Sequence, residues 1–192
     1  MEKERIRALI VEAGADQAAH RRGSLLGHLE RTADWAERWQ CSAELVTAAL
    51  CHAVYGTDGL VGPLVGLDQR DRVRAVAGDQ AERIVYRYAS CDREFVYPQL
   101  EAAVAEVVFR DRFTGWSGPL TAAEWADFMT LTWANSADVI ETSGDLDWSG
   151  ALPFLAATAA LVPDGARVDL CRLLNAVAVP VPVPATEAGA GR

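Results

Sequence analysis

No apolar run in the 192 residues approaches the roughly 20 needed to span a bilayer, so no membrane-crossing helix is expected. The charged opening MEKERIRALIVEAG likewise lacks the long apolar centre of a secretory signal. Basic charge is scarce: 18 Lys and Arg stand against 27 Asp and Glu, a formal net charge of −9. A general nucleic-acid binder needs the opposite balance, because cations must neutralise phosphates, so no nucleic-acid partner is expected. The four cysteines, Cys41, Cys51, Cys91 and Cys171, form no C-x-x-C pair and match no zinc-ribbon spacing. They read as reduced thiols, mostly in the core of a cytoplasmic protein, with Cys91 in ASCDRE a candidate pocket residue. Convincing strand patterns and internal repeats are absent too.

What is present is helical periodicity. With 51% hydrophobic and 23% charged residues the chain has the balance of a folded globular protein, and its length suits one domain. The spacing predicts an all-α, single-domain helical bundle over residues 1–178, followed by an extended or disordered Pro/Gly/Ala-rich tail over 179–192. Residues 3–13 form an amphipathic opener. Ser24 caps a helix reaching to about residue 40, with Leu25, Leu29, Thr32, Ala36 and Trp39 as its apolar stripe and His28 beside it. Ser42 caps the next, where Leu45, Ala48, Ala49 and His52 share a face. The turn-forming run Tyr55-Gly56-Thr57-Asp58-Gly59 ends it, and 60–68 reads as a loop. Helices follow over 70–77 and 80–90, then an apolar, alanine-rich stretch over 98–109 and a loop over 112–120. Thr121 and Glu124 make a capping box for the strongest helix, 122–142, with Phe128, Leu131, Thr132, Asn135, Asp138 and Val139 along one face. Two more helices are expected over 152–162 and 166–178.

Only three histidines occur, His20, His28 and His52, all within 33 consecutive positions. A buried imidazole needs partners for its ring nitrogens, and a buried carboxylate such as Asp138 needs one still more. Two successive helices bringing His28 and His52 inward, with Asp138 facing them, suit a cation that would offset the cost of burying the carboxylate.

The run HRRGSLLGHLERTADWAERW, followed by ELVTAALCHAVYGTDG and the later WANSADVIE, resembles the HD-domain superfamily of metal-dependent phosphohydrolases. In that superfamily a His on one helix is followed by a His-Asp pair ending the next, and an Asp on a late helix completes the metal site. The resemblance implies His28, His52 and Asp138 as metal ligands. It also makes the chain a degenerate member, because Ala53 stands where the pair has its Asp. The remaining two-His-one-carboxylate set suits one divalent metal ion (Fe, Mn, Zn or Ni) with open positions.

The resulting expectation is a metal-dependent enzyme acting on a small-molecule substrate, by default a hydrolase whose metal activates water. A non-haem iron oxygenase or lyase on the same ligands is the first alternative. The second is a metal-free degenerate HD fold that binds a small molecule or uses His and Asp for acid–base chemistry. His20 and Asp58 are the candidate general bases, and Tyr55, Thr57 and Asn135 the candidate substrate contacts. Arg21, Arg22 and Arg93 are candidate partners for an anionic substrate, weighed against solvated surface. Acidic charge and helical surfaces are compatible with a homodimer but specify none.

Overall fold

The computed structural model describes residues 2–20, 23–58, 62–102, 107–142 and 148–176. Arg21, Arg22, Gly59 and the expected tail from 179 lie outside them. The first helix, α1 (Glu2–Glu12), leads into a minimal hairpin of β1 (Ala19–His20) and β2 (Gly23–Ser24). Next come α2 (Leu25–Arg38) and α3 (Ala43–Cys51). Both start where the sequence marks them: the Ser24 hydroxyl accepts from the Gly27 amide and the Ser42 hydroxyl from the Leu45 amide. Each cap is worth about 1 kcal/mol.

After a 3-10 turn at Leu67–Gln69, α4 (Arg70–Ala77) and α5 (Asp79–Ser90) are separated by one residue, Gly78. Its φ of +83° reverses the chain in a conformation that side-chain-bearing residues rarely adopt. The next helix, α6 (Arg93–Ala102), begins five residues before the stretch the sequence marked, with Pro98 inside it. Proline there removes the bond to the carbonyl of Glu94, an exposed residue. Two carboxylates hold its start: Asp92 accepts from the Phe95 amide and Asp58 from the Arg93 amide.

A second small hairpin, β3 (Phe109–Arg110) with β4 (Ser117–Gly118), occupies part of the expected loop. Neither hairpin was visible in the sequence, because strands of two residues carry no period-two pattern. The expected all-α fold holds: these two short hairpins are the only sheets among the described residues.

The longest helix, α7 (Ala122–Thr142), opens on the expected capping box, with the Thr121 hydroxyl and backbone amide both donating to Glu124 and Thr121 Oγ1 accepting from the Glu124 amide. It is buried on all sides between Phe128 and Ala134, because α2, α3, α5 and α9 (Asp164–Ala176) pack around it. The short α8 (Leu152–Thr158) packs on α6. Among the described residues no helix is long and apolar enough to cross a membrane. All four cysteines are free thiols; Cys51 and Cys91 are buried, Cys41 and Cys171 half-buried.

Candidate functional site

Because α2, α3 and α7 pack together, their inward polar residues meet. His28, His52 and Asp138 are all within 2% of complete burial. The His28 Nδ1–H donates to Asp138 Oδ2 at 2.6 Å. On the other side of that ring, His28 Nε2 lies 3.0 Å from Asn135 Oδ1 and 3.3 Å from His52 Nε2. The His52 Nδ1–H donates to the Ala49 carbonyl at 2.8 Å, which fixes its tautomer and leaves Nε2 with a lone pair. His20 stacks on His28 with ring centroids 4.1 Å apart.

A residue missed in the sequence completes the arrangement. Arg31, one turn after His28 on α2, donates through Nε to Asp138 Oδ1 and through Nη2 to Oδ2 at 3.4 Å. Its spacing three residues beyond an inward histidine was the available signal. Burial opposes ionisation of Asp138, but the hydrogen bonds from His28 and Arg31 outweigh it and hold the carboxyl below its ordinary range.

The imidazoles open into a cavity of about 360 Å³, lined by residues that include His20, His28, His52, Thr57, Asn135 and Trp148. Ala53 also lines it, with no carboxylate to offer at that position. Two expected site residues are elsewhere. Tyr55 turns away and donates to Glu82 Oε1 at 3.1 Å, and Asp58 is spent on the start of α6. Gly56, with φ of +78°, sits between Tyr55 and the cavity-lining Thr57. Cys91 does not line this cavity either: its backbone pairs with that of Asp111 in an isolated β-bridge, and burial pushes its thiol up to about 12. Arg93 is half-buried, stacks over Tyr88 and donates to Tyr97 Oη and the Tyr88 carbonyl. Trp148, one of six tryptophans that read first as packing and second as an aromatic pocket, lines the cavity as well.

Tested as a ligand set, the three expected metal residues do not fit one cation. The two Nε2 atoms face each other, but Asp138 is on the far side of the His28 ring and already ion-paired. Among the described residues no group of three or more His, Cys, Asp and Glu side chains is arranged to hold a metal.

Burial, joined by the neighbouring His28, pushes His52 down to about 3. The unfolded chain therefore takes up a proton near pH 6.5 that the folded chain refuses until about 3. Stability from this group is complete above pH 6.5 and declines as pH falls below it. Between pH 7 and 5 it accounts for a loss of about 2 kcal/mol. Urea denaturation across that range checks it, and His52→Gln should flatten the slope by about that amount.

Comparison with known proteins adds one match. Residues 9–93 match a family model described as a domain of unknown function, DUF6817. That segment carries His20, His28 and His52 and stops before α7, so Asn135 and Asp138 lie beyond it. No curated protein and no solved structure matches the chain, and less than half of its length is similar to a family whose own function is undefined.

Proposed function

We propose that the protein is a metal-independent acid–base enzyme acting on a small molecule, with His28 as the group that transfers the proton. One observation carries this: Asp138 is bonded to the Nδ1 of His28, a cavity-lining residue, which leaves Nε2 on the other side of the ring beside His52 and Asn135. A carboxylate in that position selects the tautomer whose Nε2 can act as base and stabilises the imidazolium once a proton arrives. Arg31 keeps the carboxylate ionised. His52 Nε2, a lone pair 3.3 Å away, accepts a hydrogen bond from the protonated Nε2, and Asn135 Oδ1 accepts from the same proton at 3.0 Å. The relay thus holds one proton between two imidazoles until it is returned to the ligand.

A mononuclear hydrolase, or an iron oxygenase or lyase, is what the HD-type resemblance favours. It would need Asp138 to leave both Arg31 and His28 and swing past the ring to reach a metal between the Nε2 atoms, exposing buried charge on the way. The present hydrogen bonds oppose that rearrangement.

The test is a search for turnover, or for deuterium uptake from D2O, across a panel of small metabolites with a strong chelator present. Turnover insensitive to the chelator and at least about 100-fold slower in His28→Gln is expected. Turnover that vanishes with the chelator and returns with one divalent metal contradicts the proposal.

A further inference from the structure

His20 lines the histidine cavity, yet the proton relay makes no use of it. It ends β1, paired with Gly23 of β2, and the chain around this hairpin is tied to the start of α2. The Leu25 amide donates to the Ala18 carbonyl at 2.8 Å and the Leu26 amide to the Ala15 carbonyl at 2.9 Å. These bonds set His20 against the first turn of the helix that carries His28. The two rings stack with centroids 4.1 Å apart and planes 17° from parallel, so the edges of the two imidazoles run side by side. His28 is buried and His20 half-buried, and both belong to the cavity wall.

A compound that gives a proton to His28 therefore has its neighbouring atoms beside His20. The two rings differ in charge state during such a transfer. Stacked imidazoliums repel, so the ring supported by Asp138 takes the proton and His20 stays neutral. A neutral imidazole is a poor acid for expelling a leaving group, but its N–H is a good donor to an oxygen on which negative charge develops. Among the described residues no Lys, Arg, Asp or Glu lines the cavity, so that oxygen meets no stronger cation there. A volume of about 360 Å³ is at the small end of ligand sites.

We propose that His20 is a second catalytic residue, its ring N–H donating to the oxygen of a small carbonyl compound while His28 takes the proton from the adjacent carbon. This rests on the acid–base reading and names its substrate class. The C–H bond breaks and its proton goes to His28 Nε2. The electron pair of that bond becomes the second bond between the two carbons, and the carbonyl π pair moves onto oxygen. The enolate oxygen accepts from His20 and lies beside the imidazolium just formed. Return of the proton from His28 to carbon closes the cycle without another reactant.

The experiment uses the whole chain with cyclohexanone carrying 13C at the carbonyl. Infrared difference spectra read the bound carbonyl stretch, and proton NMR in D2O reads deuterium uptake at the adjacent carbons. Unchanged amide dispersion verifies the fold of each variant. Binding should lower the carbonyl frequency. His20→Phe, which keeps a stacking ring and removes the donor, should abolish that shift and slow the uptake about 100-fold. His20→Asn, which supplies an amide N–H, should restore part of both, whereas His28→Gln should stop the uptake and keep the shift. Three results overturn the proposal: a wild type that binds no cyclohexanone, a bound carbonyl whose frequency is unchanged, or a shift and uptake that His20→Phe leaves intact. A shifted carbonyl with no uptake in wild type contradicts the acid–base function, whereas uptake that needs His28 but not His20 contradicts this assignment alone.

Discussion

Arg70→Met is expected to lower the free energy of unfolding by about 3–5 kcal/mol, among the largest effects of any single polar substitution in this chain. Glu82 is completely buried on α5. Its two oxygens take a bidentate pair from Arg70 at 2.7 and 3.0 Å, the Tyr55 hydroxyl at 3.1 Å and a longer contact from Arg74 at 3.5 Å. Removing Arg70 leaves a buried carboxylate with one weak cation, and a buried charge without its partner is far more costly than the pair is stabilising. Removing Glu82 instead should cost less, because Arg70 and Arg74 are part-exposed and can turn to water. Adding Glu82→Leu to Arg70→Met should therefore recover part of the loss. Denaturant unfolding of the two single variants and the double variant gives the coupling directly. Additive losses would mean that the carboxylate is not held by Arg70. The network also matters to the site, since Tyr55 anchors the turn whose next ring-wall residue is Thr57.

Asp138→Asn should cut turnover by roughly 1,000-fold, within the range that a misdirected general base costs. An amide can donate to His28 Nδ1 as readily as accept from it, so the tautomer with Nε2 deprotonated loses its advantage. Asp138 does not line the cavity, so KM should change little while kcat falls. Arg31→Met should act in the same direction but more weakly, since it removes the countercharge and leaves the His28 bond intact. Steady-state kinetics on any compound found by the turnover search separates these outcomes. A rise in KM with unchanged kcat in Asp138→Asn would assign Asp138 to binding instead.

Much of the fold was readable because its signals are local. Ser24, Ser42 and the Thr121–Glu124 box cap the helices that the sequence assigned to them. The inward faces of α2, α3 and α7 follow from 3.6-residue periodicity, and these faces bring His28, His52, Asn135 and Asp138 together. What periodicity does not encode is which ring nitrogen a carboxylate meets. That depends on the rotation of α7 against α2 and on Arg31, and it separates a ligand from an orienting group. Tyr55 and Thr57 are two positions apart in one turn, yet one faces Glu82 and the other the cavity. Sequence spacing treats them alike, because the positive φ of Gly56 between them has no periodic signature. Glu82 escaped notice for a related reason: its partners are set by packing between separate segments.

The most direct test of the relay is long-range 1H–15N NMR of the labelled imidazoles near neutral pH, before and after one equivalent of Zn2+. The relay requires the Nδ1–H tautomer of His52 with a bare Nε2, an Nδ1–H on His28 that is lost or weakened in Asp138→Asn, and imidazole signals that zinc leaves in place. If zinc instead moves the Nε2 signals of His28 and His52 together, stoichiometrically and only while Asp138 is present, the three residues form a metal centre and the relay is contradicted.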